Sequence, residues 1–122
     1  MSSTGATLLA PCIGNLHGRY LKQPNLRFDL MRELDTITRP EGQYLVMHGT
    51  DDLEDKIWIE LVACGVTKFN INSWARDPTN KFLAESILEA KLGMPEIYDG
   101  ASDIYKKEVT RFMKMLGSAG KA

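Results

Sequence analysis

The chain has 122 residues, 43% of them hydrophobic and 25% charged, enough for one ordinary domain with a buried core and too apolar for intrinsic disorder. A formal net charge of −1 excludes the basic field that nucleic acid requires. The early apolar run, residues 6–13, is too short to span a bilayer and lacks a signal peptide's basic leader, so neither nucleic acid nor membrane is expected as a partner. Two cysteines, Cys12 and Cys64, make no disulfide framework, and a reducing cytoplasm is the expected location.

Residues 7–13 read as a buried strand with Pro11 bending its end, which makes Cys12 a packed thiol. Pro24 and Asn25 mark a turn. Leu30, Met31, Leu34 and Ile37 recur at helical spacing, predicting an amphipathic helix over 26–38 that Arg39-Pro40-Glu41-Gly42 breaks. Tyr44 to Met47 is a short apolar strand. Asp52 is the expected cap of the next helix, with Asp55 at a capping-box spacing. Ile57, Leu61 and Cys64 share its apolar face, and Gly65 ends it.

Val66 to Ile71 is the third expected strand. Asp77 and Pro78 suit the cap and first turn of a further helix, whose stripe of Phe82, Leu83, Ile87 and Ala90 stops at Gly93-Met94-Pro95. A last helix is predicted from Ser102 to Leu116, with Tyr105, Val109, Phe112 and Leu116 facing a core. The small-residue tail, 117–122, reads as a mobile end.

Strands alternating with helices imply an α/β fold with parallel pairing. Three strands cannot close a barrel, and a full eight-unit βα barrel needs about 250 residues. The expected sheet therefore keeps two open edges, and the chain should dimerise or associate with further strands.

Only two histidines are present. His17 and His48 each end an apolar run and are each followed by glycine, Gly18 and Gly49. In βα architectures the edge where strands emerge into loops is where ligands and chemistry collect.

The strings GNLHGRY (14–20), LRFDLMREL (26–34), YLVMHG (44–49), ACGVTKFNIN (63–72) and GSAGKA (117–122) together resemble the C-terminal half of class II fructose-bisphosphate and tagatose-bisphosphate aldolases. The resemblance runs over nearly the whole chain, 1–122 as one portion. It implies a partial (β/α)₈ TIM barrel, its last three βα units with an extra C-terminal helix. It also implies a zinc-dependent lyase of carbohydrate metabolism and glycolysis, cleaving a ketose bisphosphate to dihydroxyacetone phosphate and an aldehyde phosphate. In that family the matching histidines bind Zn²⁺, here His17 and His48. Gly18 and Gly49 would let backbone N–H groups approach a phosphate. Asn70 and Ser73 match positions that contact dihydroxyacetone phosphate.

Three features depart from the family. Its third zinc histidine and its acid/base aspartate belong to an earlier strand with no counterpart here. This chain therefore offers no catalytic residue of its own, and alone it is expected to be inactive. Where the family reads HGGSG, this chain has His48-Gly49-Thr50-Asp51-Asp52, placing carboxylates where a phosphate would meet a helix start. Trp74 follows Ser73 where an acidic residue is common. The competing expectation is a degenerate, non-catalytic metal-binding or interaction domain derived from an aldolase.

Overall fold

A computed structural model describes residues 2–121, with the side chain of Ser2 excepted. In chain order its regular elements are β1 (Leu8–Leu9), α1 (Phe28–Thr38), β2 (Tyr44–Met47), α2 (Asp55–Ala63), β3 (Val66–Phe69), α3 (Ser73–Glu89) and α4 (Met94–Met115). Short 3₁₀ turns lie at Ser2–Thr4 and Arg39–Glu41. The chain divides into two compact units, Met1–Ile71 and Asn72–Ala122.

The first unit is a three-stranded parallel sheet in the order β1-β2-β3 with two covering helices. Leu8 pairs with Tyr44 and Leu9 with Leu45. Leu45 pairs with Val66, and after an irregularity Val46 and Met47 pair with Lys68 and Phe69. β2 is the central strand, so its side chains are covered from both faces, and Leu45, Val46 and Met47 are all buried. Met31 from α1, Ile57, Trp58 and Leu61 from α2, and Ile13, Leu53 and Cys64 from the connections complete this core. The helix face of Ile57, Leu61 and Cys64 is buried as its spacing predicts. Gly65 takes φ +99, the left-handed value that ends α2.

Several expectations fail here for identifiable reasons. The first strand pairs only at Leu8–Leu9 rather than over residues 7–13. Beyond it the chain leaves the ladder: the Ile13 N–H donates to Asn15 Oδ1 at 2.9 Å, and the Ile13 carbonyl accepts from Arg27 N at 2.9 Å. Cys12 is therefore exposed in a loop, its thiol directed at the Asn15 carbonyl 3.9 Å away, and is not a packed strand residue. α2 begins at Asp55 behind Glu54, not behind Asp52. Asp52 instead sits in the turn before the helix with φ 55, a conformation that Asp tolerates better than most residues.

The second unit pairs α3 with α4. Ala75 and Ser86 from α3 and Ile97, Ala101 and Phe112 from α4 are buried. The Trp74 ring meets Phe112 edge-on at 5.9 Å, and the Arg111 guanidinium covers both rings. α3 starts at Ser73, where Asn72 O accepts from Ala75 N and Arg76 N, so Pro78 lies inside the helix rather than in its first turn. The anticipated stripe is only partly buried: Ile87 and Ala90 are exposed, and Tyr105 and Val109 are too. Pro95 does not end α3 but sits in the first turn of α4 behind Gly93, so α4 starts eight residues before the predicted Ser102. Gly100 lies inside α4, where a Cβ would stand 2.5 Å from Phe82 Cζ, so the glycine lets the Phe82 ring pack against the helix. The tail hydrogen-bonds back, Ser118 N and Ala119 N both donating to Met113 O, while Ala122 lies outside the described residues.

Pro78 lacks the N–H that would reach the carbonyl one turn earlier, and its ring crowds that turn. Pro78→Ala should raise the stability of the second unit by about 1–2 kcal/mol, since an interior proline costs ~3 kcal/mol and its loss of unfolded-state entropy returns up to ~1 kcal/mol. A thermal melt that falls or stays unchanged would show that the helix has absorbed the proline without cost.

Candidate functional site

Parallel strands bring all their C-terminal ends to one edge of a sheet, so the segments that follow β1, β2 and β3 emerge together. The segment after β1 carries Asn15, His17 and Tyr20. The segment after β2 opens with His48, Gly49 and Thr50, and Asn70 follows β3.

The two imidazoles meet with ring centroids 5.5 Å apart and planes at 67°. His17 is exposed and His48 half-buried, so one side of the pair is open to solvent. Asn70 Nδ2 lies 2.9 Å from His48 Nε2 and 3.4 Å from Nδ1. It donates to the nearer nitrogen in the tautomer that leaves that nitrogen unprotonated. The Lys68 ammonium donates to Asn70 Oδ1, which turns the amide so that its NH₂ faces the imidazole. The Asn70 backbone is fixed as well: its N–H donates to Met47 O at 3.1 Å, and its carbonyl accepts from Thr50 Oγ1 at 2.8 Å.

The loops touch through their backbones. Gly49 has φ +62, and a Cβ there would lie 2.1 Å from Leu16 O. Glycine at 49 is therefore required by close approach of the two histidine segments. Gly18 also has positive φ, +99, but faces open space. Asn15 Nδ2 donates to His48 O at 3.0 Å, and Tyr20 Oη donates to Gly49 O at 2.8 Å. Tyr20 Oη also accepts from Leu16 N at 2.9 Å. Burial pushes the Tyr20 phenol above its ordinary pKa, opposed by the Leu16 backbone bond, so it remains a donor at neutral pH.

Of the residues singled out in the sequence, His17, His48, Gly49 and Asn70 come together in the first unit. Ser73 belongs to the second, where it opens α3 and its Oγ accepts from Arg76 Nη2 at 3.3 Å. Asp51 and Asp52 lie in the turn ahead of α2 and not on its first turn, which removes them from the helix terminus where they were expected. Among the described residues no group of three or more His, Cys, Asp or Glu is placed to hold a metal ion. Asn15, Tyr20 and Lys68 carry no role expected from the sequence, although Asn15 and Tyr20 lie within GNLHGRY and Lys68 within ACGVTKFNIN, two of the strings that resemble the family.

Residues 1–121 match the family "Fructose-bisphosphate aldolase class-II". The chain is 30% identical to a fructose-bisphosphate aldolase of Geobacillus stearothermophilus, covering 98% of this chain and 41% of that one. It is 29% identical to a Bacillus subtilis 6-phospho-5-dehydro-2-deoxy-D-gluconate aldolase, over 100% of this chain and 42% of the relative. The fold superposes on the solved structure of the YdjI aldolase from Escherichia coli with a TM-score of 0.86 at 25% identity, covering 99% of this chain and 44% of that one. The chain thus spans about two-fifths of the length of these relatives. The family's pattern runs over residues 1–121 on an α/β fold similar to that of solved aldolases, and the chain belongs to the class II fructose-bisphosphate aldolase family.

Proposed function

We propose that this chain supplies the metal-binding and triose-phosphate-binding side of a zinc-dependent class II aldolase acting on fructose or tagatose bisphosphate. In this reading its sheet is the last three βα units of a (β/α)₈ barrel, α4 the extra C-terminal helix, and the exposed edges of β1 and β3 the places where further strands pair. Activity then belongs to the assembly of this chain with the strands it lacks, not to the chain alone.

The separation of the imidazoles is the observation that carries this reading. A Zn–N bond of about 2.1 Å, roughly 1.1 Å from nitrogen to ring centre and a tetrahedral angle put two co-ligating ring centroids about 5.2 Å apart. The observed 5.5 Å fits that spacing. His17 and His48 would hold the metal, with the Asn70 amide giving up the unprotonated His48 nitrogen to it, and a catalytic centre needs a third protein ligand that the described residues do not provide. When bound, the metal supplies Lewis-acid polarisation of a ketose carbonyl. The Asn70 amide would orient the dihydroxyacetone phosphate hydroxyls, with Gly18 and Gly49 offering backbone donors to its phosphate. The proton moved during carbon–carbon cleavage requires a carboxylate from outside this chain.

The missing third ligand also favours a second reading: a domain that keeps a vestigial metal pair without catalysis. Zinc titration with calorimetry separates the outcomes. The chain should bind about one zinc weakly, and His17→Ala should abolish most of that binding, because one imidazole cannot chelate. Mixing the chain with the N-terminal part of a relative and following fructose-bisphosphate cleavage then tests catalysis. Zinc binding without any cleavage in the mixture favours the vestigial domain. Absence of zinc binding sinks both.

A further inference from the structure

Three side-chain ties run in order between the segment that carries His17 and the turn that follows His48. Asn15 accepts from Ile13 N at 2.9 Å through Oδ1 and donates to His48 O at 3.0 Å through Nδ2. Tyr20 Oη accepts from Leu16 N at 2.9 Å and donates to Gly49 O at 2.8 Å. Gln23 Nε2 donates to Asp52 O at 2.8 Å, and its Oε1 accepts from Glu54 N at 3.3 Å. All three reach backbone atoms, so they fix where the two chain segments run relative to each other.

His17 sits between the first two ties. Its segment has little conformational preference of its own, because Gly14 and Gly18 on either side take φ +102 and +99. Tyr20 closes the chain from Leu16 onward into a ring with His17 inside it, and fastens that ring to Gly49. On the other side, the Asn15 bond holds the backbone carbonyl of His48 itself. Leu16 O fills the space a Gly49 side chain would need, so the two segments cannot approach further. The ties set the maximum separation and this contact the minimum.

We propose that Asn15 and Tyr20 are positioning residues that set the separation of the His17 and His48 imidazoles at the distance where both can hold one metal ion, with Gln23 extending the same clasp along the following turn. The inference rests on the reading of the two histidines as metal ligands. Neither Asn15 nor Tyr20 touches substrate or metal in this role. Each acts through the backbone of the histidine segments.

The test uses the full chain with Tyr20→Phe, which removes the hydroxyl and keeps the ring, and Asn15→Ala. Two readouts are taken. The first, without metal, is the proton NMR cross-relaxation peak between the His17 and His48 rings. It should be present in the wild type and at least threefold weaker in both variants. The second is zinc affinity by calorimetry, which should fall at least tenfold in each. Should Asn15→Ala unfold the chain, Tyr20→Phe carries both readouts.

A wild type without the cross-peak, or variants that keep it at full intensity, overturns the clasp. Variants that bind zinc as tightly as a zinc-binding wild type overturn it as well. If the wild type binds no zinc while the cross-peak still weakens in the variants, the clasp stands and the metal reading falls.

Discussion

Gly49→Ala should destabilise the first unit by roughly 2–5 kcal/mol, read as a lower urea midpoint at unchanged slope. Two independent effects add. The left-handed backbone at φ +62 costs a non-glycine residue about 1–2 kcal/mol. The new Cβ would also stand 2.1 Å from Leu16 O and 2.8 Å from Leu16 C. Those are backbone atoms, so no rotamer change relieves the overlap, and overpacking of this kind costs about 1–3 kcal/mol. Relief must come from parting the two histidine segments, which would strain the Tyr20 and Asn15 bonds to Gly49 O and His48 O. A variant with wild-type stability would mean that Leu16 withdraws freely and that the segments are not fixed against each other.

Trp58→Ala should cost the first unit about 3–5 kcal/mol, the range for deleting a buried aromatic side chain. Trp58 is fully buried beneath the sheet on α2. Its indole lies 5.4 Å from the Phe69 ring at the end of β3, and Nε1 donates to Leu53 O at 3.2 Å. Leu53 lies in the turn between His48 and α2, so one side chain ties helix, strand and candidate-site turn together. Trp58→Phe should keep most of the packing and lose the Nε1 bond, at about 1–3 kcal/mol for the carbonyl left without that donor. Equal losses for the two substitutions in urea denaturation would assign the effect to the hydrogen bond instead of the packing.

The elements that were legible in the sequence are those governed by local periodicity. β2 falls on Tyr44–Met47 as its apolar run predicts, and α1 ends at Thr38 immediately before the Arg39-Pro40 break. In both cases burial pattern and terminator agree within a few residues, so tertiary contacts had nothing to override. The α2 face is legible for the same reason. Its start is not, because an acidic residue near a helix is a weak signal, and Gln23, reaching from a distant segment, occupies the turn where Asp52 was expected to cap.

Glycine and proline mark the limit of local reading. Pro78, Pro95 and Gly100 each carry a local meaning that the helices contradict or reuse. The chemistry of each residue is local, but whether a glycine breaks a helix or admits a ring depends on Phe82, which sequence distance hides. The first strand shows the same limit: residues 10–13 are apolar enough to extend it, yet Ile13 is buried by bonds to Asn15 and Arg27 rather than by a ladder.

The sequence by itself determined the α/β class, the family pattern and the candidacy of His17 and His48, because residue type and spacing along the chain encode them, while Asn70 became a candidate only through the family resemblance. Only the tertiary structure decided that the two imidazoles stand 5.5 Å apart, that Asn70 faces His48, and that Gly49 is a packing requirement. The reason is physical. Those relations join segments that are about 20 to 35 residues apart, and their distances depend on how parallel strands align and on which side chains bond the loops between them.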